Sequence, residues 1–351
     1  MTAPNIRTVL VTGNLGYIGC VLTPLLAGLG YTVAGFDTEF YDRHCELFPF
    51  DPKVTRQIRK DMRDIEPADL AGADAVIHLA GLSNDPLGEL APEMTYEINY
   101  KGTMRVGECA KRAGVRRFVY ASSQSMYGIA DVRREVDEDA SDKNPITAYA
   151  KTKWQAECDL NPLSGGDFMV THMRPSTVFG ASPRLRCDIV YNNLVACAHT
   201  TGRIEIKSDG TPWRPIIHIR DVCRAFIAGL TAPREVLERQ AFNIGVPGGN
   251  YTVRQIAEAA QAAVPGSSLV FTGEHTDSRT YRVSFEKINS RLAKFFRPEW
   301  DLAAGGRELV EMFRRVGLSE ADFRGDRTNR LARLKTLLAA GRLDDNLRWK
   351  G

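Results

Sequence analysis

Short, mostly apolar runs bounded by turns set the rhythm of the first half of the chain. Residues 8–12 (TVLVT), 32–36 (TVAGF), 75–79 (AVIHL), 117–121 (RFVYA) and 168–173 (FMVTHM) lack regular polar alternation. That is the pattern of strands buried on both faces. Between them, apolar residues recur at three- and four-residue intervals, which predicts helices over residues 18–29, 94–113 and 148–160. Gly114 closes the second of these. Pro24 falls inside the first and is expected in its opening turns, where a missing N–H is least costly. Strands alternating with helices predict parallel β-α-β units and a doubly wound α/β sheet.

The pattern loosens beyond Gly180. Helices are predicted over residues 189–199, 222–230 and 253–264, and short strands over 204–206 and 216–219. The reading is a two-domain chain. Residues 1–177 form the doubly wound unit, to which 215–245 return. Residues 178–214 and 246–351 form a smaller mixed α/β unit that closes over it and holds the substrate. From about residue 307 the chain is helical and basic, with Arg327, Arg330, Arg333 and Lys335 close together. This tail reads as an amphipathic helical pair packed on the smaller unit. A nucleic-acid arm is the competing reading, which salt-insensitive, negligible binding to duplex DNA would exclude.

Composition narrows the classes. With 351 residues, 43% of them hydrophobic and 25% charged, the chain can build a core without a disulfide or metal staple. A net charge of +3 gives no general attraction to nucleic acid or an anionic membrane. No apolar run reaches the roughly 20 residues of a bilayer span, and no charged-then-apolar leader opens the chain. Seven scattered cysteines without a Cys-x-x-Cys predict reduced thiols and a cytoplasmic location. The six histidines show no metal-ligand spacing, so no metal is expected.

The turn Thr12-Gly13-Asn14-Leu15-Gly16-Tyr17-Ile18-Gly19 joins the first strand to the first helix. Glycines there let the backbone turn tightly and approach a pyrophosphate, and the helix start offers free N–H groups to it. A glycine triplet alone is a common turn. This one has a strand before it, a helix after it and an acid at the end of the next strand, the context of a Rossmann-type dinucleotide fold. That acid, Asp37, lies eighteen positions beyond Gly19. A carboxylate there can bind both ribose hydroxyls of an adenosine and repel a 2′-phosphate, which favours NAD over NADP. A solvated strand-end carboxylate is the plain alternative. Asp61 and Met62 are placed to flank the adenine, and Leu79, Ala80 and Gly81 let a cofactor pass close to the backbone.

Tyr149 and Lys153 are four residues apart on a predicted helix and share one face. An ammonium beside a phenol lowers its pKa, and a phenolate near neutral pH is a usable general base. Such a pair is common on helix surfaces. What singles it out is the preceding strand, which ends in Ala121-Ser122-Ser123-Gln124-Ser125-Met126-Tyr127-Gly128 and brings hydroxyls to the carboxyl edge of the sheet.

TGNLGYIG, HLAG, ASSQSMYG, YAKTK and RPIIHIRDV, in that order, resemble the extended short-chain dehydrogenase/reductases that act on nucleotide sugars, the NAD-dependent epimerase/dehydratase family. The resemblance runs from about Val9 to Lys287 and takes in Phe242-Asn243-Ile244-Gly245 and Tyr251-Thr252-Val253. It implies hydride exchange between NAD and a sugar carbon, usually C4. Tyr149 would be the acid/base, Lys153 the ribose anchor, and Ser123 the hydroxyl partner of the substrate oxygen. Asn99 matches an asparagine that supports the active-site backbone; a side chain bonded within its own helix is the other reading. Ser122 reads as a local backbone hydrogen bonder, and Ser125 as a further substrate contact. Arg214 and Arg279 match arginines that grip the nucleotide diphosphate, and surface arginines are the alternative for both. Thr177 stands where many relatives have an asparagine, and Pro215 replaces the usual acid after the arginine. Arg184 and Arg186 either reach the ligand or are solvated. A homodimer through the helices at about 94–113 and 148–160 is implied as well.

The resemblance also sorts the chemistry. Dehydratases of this kind carry an Asp-Glu pair where this chain has Gln124 and Ser125, and neither can do carboxylate acid/base work at neutral pH. The cysteine of the 3,5-epimerases and the loop carboxylate of the decarboxylases are also missing. The remaining Ser/Tyr/Lys set suits C4 epimerisation of a UDP-hexose or a related nucleotide sugar through a 4-keto intermediate. The alternatives are a 4-keto-sugar reductase drawing on NAD(P)H and a binding protein that keeps the fold without catalysis.

Overall fold

The computed structural model describes residues 6–83, 85–273 and 280–350, with the backbone alone for Leu87. Its centre is a parallel sheet of seven strands: β1 (Thr8–Thr12), β2 (Thr32–Asp37), β3 (Arg56–Arg59), β4 (Ala75–His78), β5 (Arg117–Ala121), β6 (Met169–Pro175) and β7 (Ala241–Ile244). They lie side by side in the order β7-β6-β5-β4-β1-β2-β3. This is the doubly wound Rossmann-type arrangement. The order reverses between β1 and β4, and the crevice at their carboxyl ends is where such sheets bind ligands.

Both faces are covered, as the continuous apolar runs require. Val9, Val11, Val119 and Met173 pack against Leu22, Leu26, Val222 and Phe226 on one side. Leu10, Val76, Phe118 and Val170 pack with Val106, Ala110, Ala156 and Leu160 on the other. β3, the third strand expected before Asp61, has no apolar run to fix its range. It is an edge strand of sequence RQIR with only Ile58 partly covered, so it has no apolar signal to read.

Three other expectations change in detail. The long helix predicted over 94–113 widens into a π-helical stretch, Tyr96–Gly102, before the α-helix Thr103–Arg112. Pro24 sits in the sixth position of the helix Gly19–Gly28, past the first turn. The segment 215–245 returns to the large sheet only from the helix Ile219–Thr231 onward. The strand before that helix, Trp213–His218, pairs with Thr177–Phe179 and Asn250–Thr252 in a separate sheet. Phe179, Tyr191, Leu194, Ile256, Leu309 and Phe313 form the core around that smaller unit.

The tail is a larger departure. The helix Leu302–Val316 stays with the smaller unit, where Leu309 and Phe313 are buried. The helix Arg330–Ala339 and the residues after it cross to the large sheet instead. Leu334, Leu337, Leu343 and Leu347 are buried with Phe36, Phe40 and Met62. Trp349 Nε1 donates to Thr38 O at 2.6 Å, and Arg333 pairs with Asp42 at 3.0 Å. Arg327 pairs with Asp322, and Arg330 is buried. The basic cluster therefore does not form a solvent-facing arm. No described helix is long and apolar enough to cross a membrane, and the seven cysteines are free thiols.

Two histidines are built into the sheet in neutral form. His78 lies between Thr12 Oγ1 (2.6 Å) and Thr103 Oγ1 (2.9 Å), and His172 meets Asn161 Oδ1 at 2.8 Å. Burial lowers the first to about 3 and the second to about 4, from an ordinary 6.5. The unfolded chain takes up protons near 6.5 that the fold refuses, so the stability these groups contribute above that pH is lost as pH falls toward 4. The thermal midpoint should accordingly drop as pH is lowered from 6.5 to about 5. A midpoint constant across that interval would contradict the assignment.

Candidate active site

β1 delivers the chain into the crevice through Gly13, which has φ +71°. A Cβ there would lie 2.8 Å from Ala80 N. Gly19 begins the helix, and a Cβ on it would lie 2.3 Å from Gly13 O. Neither position accommodates a side chain, so bare backbone at a helix start faces the crevice. Gly13, Gly16, Tyr17, Ile18 and Gly19 line it. Asn14 and Leu15 do not, contrary to expectation. Asn14 is buried and exchanges two hydrogen bonds with Gln57 (2.8 and 3.2 Å), while Leu15 N donates to Asp37 Oδ2 at 3.0 Å. Both hold the loop from behind. Gly19→Ala forces the turn apart, and NAD affinity is expected to fall about tenfold to hundredfold. Unchanged affinity by titration calorimetry would contradict this reading of the loop.

The adenosine end is walled by Asp37, Thr38, Phe40, Tyr41, Lys60, Asp61 and Met62. The Asp37 carboxyl takes the Glu39 N–H at 2.7 Å, and burial raises its pKa. Asp61 is held in a two-pronged pair by Arg63 (2.9 and 2.6 Å). Leu79, Ala80, Gly81, Leu82 and Ser83 form the opposite wall. Asn99 is not part of it. From the π-helical stretch, its Oδ1 accepts from Leu82 N (2.7 Å) and its Nδ2 donates to Leu82 O (2.9 Å), so it fixes the wall's backbone. A glycine turn for a diphosphate, a strand-end carboxylate for a ribose and an apolar slot beyond it fit NAD.

At the other end, the helix Ala148–Leu160 is capped by Thr147 and carries Tyr149 and Lys153. Ser123 lies close enough to the Tyr149 hydroxyl to lower its pKa. Ser123 Oγ in turn lies 2.9 Å from Ser125 Oγ and accepts from Ser125 N. Lys153 is buried, donates to Ala121 O at 2.8 Å, and sits 5.9 Å over the Tyr149 ring. Burial lowers its pKa to about 8. The expected depression of the phenol by Lys153 is absent in this state. Burial raises Tyr149 to about 12, the nearby Ser123 hydroxyl opposes this only in part, and the nearby Asp85 carboxylate raises it further. The ammonium is turned toward Ala121 O, and the phenol keeps its proton at neutral pH.

Over residues 9–245 the chain matches the NAD dependent epimerase/dehydratase family. It belongs to that family. It is an enzyme, and NAD is its cofactor. The UDP-glucose 4-epimerase of Mycolicibacterium smegmatis is 29% identical over 87% of this chain and 98% of its own length. UDP-glucuronic acid decarboxylase 1 of Arabidopsis thaliana is 26% identical over 90% of this chain and 72% of its own. Among solved structures, MoeE5 in complex with UDP-glucuronic acid and NAD is 28% identical, with a TM-score of 0.74 over 88% of this chain and 99% of that one. Similar relatives thus carry names of different reactions, and local residues must separate them.

In this member of the family, Gln124 turns away from the crevice. Its Nε2 donates to Arg174 O (2.9 Å) and its Oε1 accepts from Ser176 Oγ (3.2 Å). Ser122 does not bond to local backbone as expected. Its Oγ donates to the buried Glu157 at 2.7 Å, and Glu157 pairs with the equally buried Arg174. That pair clamps the strand end from which Ser123 projects. Arg214 lies on the Trp213–His218 strand with Nη1 on Trp213 O, and Thr177 begins a strand of the same small sheet. Neither lines the cofactor crevice, and Arg279 lies outside the described residues. The structure adds Tyr41, Lys60, Ser83, Arg186 and Arg330 to the crevice and Asp85 beside Tyr149. Of these, Arg186 and Arg330 had a signal in the sequence, as basic residues of an irregular segment and of the tail.

Proposed function

We propose that the protein is an NAD-dependent C4 epimerase of a nucleotide sugar, with a UDP-hexose as the leading substrate. The observation that carries this reading is the placement of Lys153 beside the crevice residue Gly81 and over the Tyr149 ring, with Ser123 near the Tyr149 hydroxyl and a loop whose positions 124 and 125 hold no carboxylate. When bound, NAD supplies a hydride acceptor that can return the hydride, and a positive ring whose charge favours the phenolate. Tyr149 takes the proton of the C4 hydroxyl and gives it back after the ketone has presented its other face. Ser123 donates a hydrogen bond to the same oxygen. Lys153 holds the cofactor ribose, and its positive charge supports the phenolate. Protons and hydride both return to the sugar, so no cofactor is consumed.

The cofactor contacts in this proposal are Gly13, Gly16, Tyr17, Ile18, Gly19, Asp37, Asp61, Met62 and the wall from Leu79 to Gly81. Arg214, Arg279, Thr177 and Ser125 are assigned to the substrate, bound by residues 178–214 and 246 onward, and the working unit is a homodimer. The test compares substrates. NAD-loaded enzyme given 4-keto nucleotide sugars and NADH should show no sustained NADH oxidation. Stoichiometric NADH loss over many turnovers would make it a reductase.

A further inference from the structure

Two buried arginines beside the phosphate loop have no carboxylate partner. Arg184 Nη1 donates to Leu15 O at 2.7 Å, and Arg330 Nη2 donates to Arg184 O at 2.6 Å, both neutral acceptors. Arg184 Nε and Arg330 Nη1 are buried and bond to nothing. Their neighbours differ. Arg186 is held by both oxygens of Asp188 (2.9 and 3.0 Å), and Arg333 is held by Asp42.

A buried guanidinium with no carboxylate in hydrogen-bond contact is unfavourable. Here 99% of the Arg330 surface is covered, yet the residue lines the cofactor crevice together with Gly13, Gly16, Gly19 and Tyr41. Its guanidinium stacks 4.3 Å above the Tyr41 ring, which fixes its plane. Burial lowers its pKa, and Asp188, already held by Arg186, opposes this only in part. The missing partner is therefore an anion in the crevice, next to the glycine turn.

We propose that Arg330 is a ligand of the NAD diphosphate, with Arg184 behind it tying Arg330 to the phosphate loop. The helix Arg330–Ala339 thereby becomes part of the cofactor site. The tail that buries Leu334 and Leu337 against the sheet carries a charge into the crevice, and its docking and NAD retention are one event. The inference rests on the family's cofactor and is independent of the epimerase reading.

The test titrates NAD, ADP and adenosine by calorimetry into NAD-free wild type, Arg330→Met and Arg330→Lys. Loss of one charge-assisted contact should weaken NAD and ADP about tenfold to hundredfold in R330M and leave adenosine unchanged. R330K should fall between, because a point charge replaces the planar fork. NAD-free R330M should melt no lower than wild type, since an unpaired buried charge has been removed. If R330M is too unstable to purify, R330K decides by the same NAD-to-adenosine comparison. Wild-type NAD affinity in the folded variants, or an equal loss for adenosine, would overturn the proposal.

Discussion

Tyr149→Phe should lower kcat about 100-fold to 10,000-fold, the usual contribution of a positioned acid/base. The substitution removes one oxygen and leaves the ring. The Lys153 contact to Ala121 O does not involve that oxygen, and the glycine turn lies at the other end of the crevice. Bound NAD and the melting temperature should therefore stay close to wild type. What is lost is the proton carrier. Without cofactor the partly buried phenol stands at about 12 and holds its proton, so turnover depends on the positive charge that Lys153 and oxidised NAD together bring to it. Unchanged kcat in the variant would remove Tyr149 from the reaction.

Arg174→Met should destabilise the fold by about 3–5 kcal/mol, the cost of stranding one partner of a buried ion pair. Glu157 and Arg174 are 4% and 2% exposed, with Arg174 Nε on Glu157 Oε2 at 3.1 Å and Nη1 on Tyr127 OH at 2.9 Å. Burial pushes the Glu157 carboxyl up, but the Arg174 guanidinium and the Ser122 hydroxyl hold it below its usual value. Removing the arginine leaves burial acting on that carboxylate with fewer opposing contacts. The same change slackens the strand end that carries Ser122 and Ser123, so activity should fall with stability. Urea unfolding measures the first effect. A loss under about 1 kcal/mol would mean that the site relaxes or admits water.

Much of this was legible in the chain itself. TVLVT, TVAGF and RFVYA needed burial on both faces, and the sheet supplies it. The glycine turn could be read because Gly13 and Gly19 have steric reasons that no other residue satisfies. What was not legible depended on partners distant in sequence. Asn14 looked like a cofactor contact until Gln57, forty-three residues away, proved to be its partner. RQIR has no apolar run, so the chain does not mark the bounds of β3. The tail reads from sequence as packed on the smaller unit because Asp42 and the crevice at Tyr41, which hold it on the large sheet, are far upstream. The phenol's pKa also went the other way, since spacing places Lys153 on the right face but does not say that its ammonium points at Ala121 O.

The most direct test of the central claim is proton NMR of the purified enzyme mixed with UDP-glucose, UDP-galactose and related nucleotide sugars, with no cofactor added. The account predicts that one C4 epimer converts to the other until both reach equilibrium, on the NAD the protein already holds. Full NAD occupancy with no interconversion across the panel would contradict it.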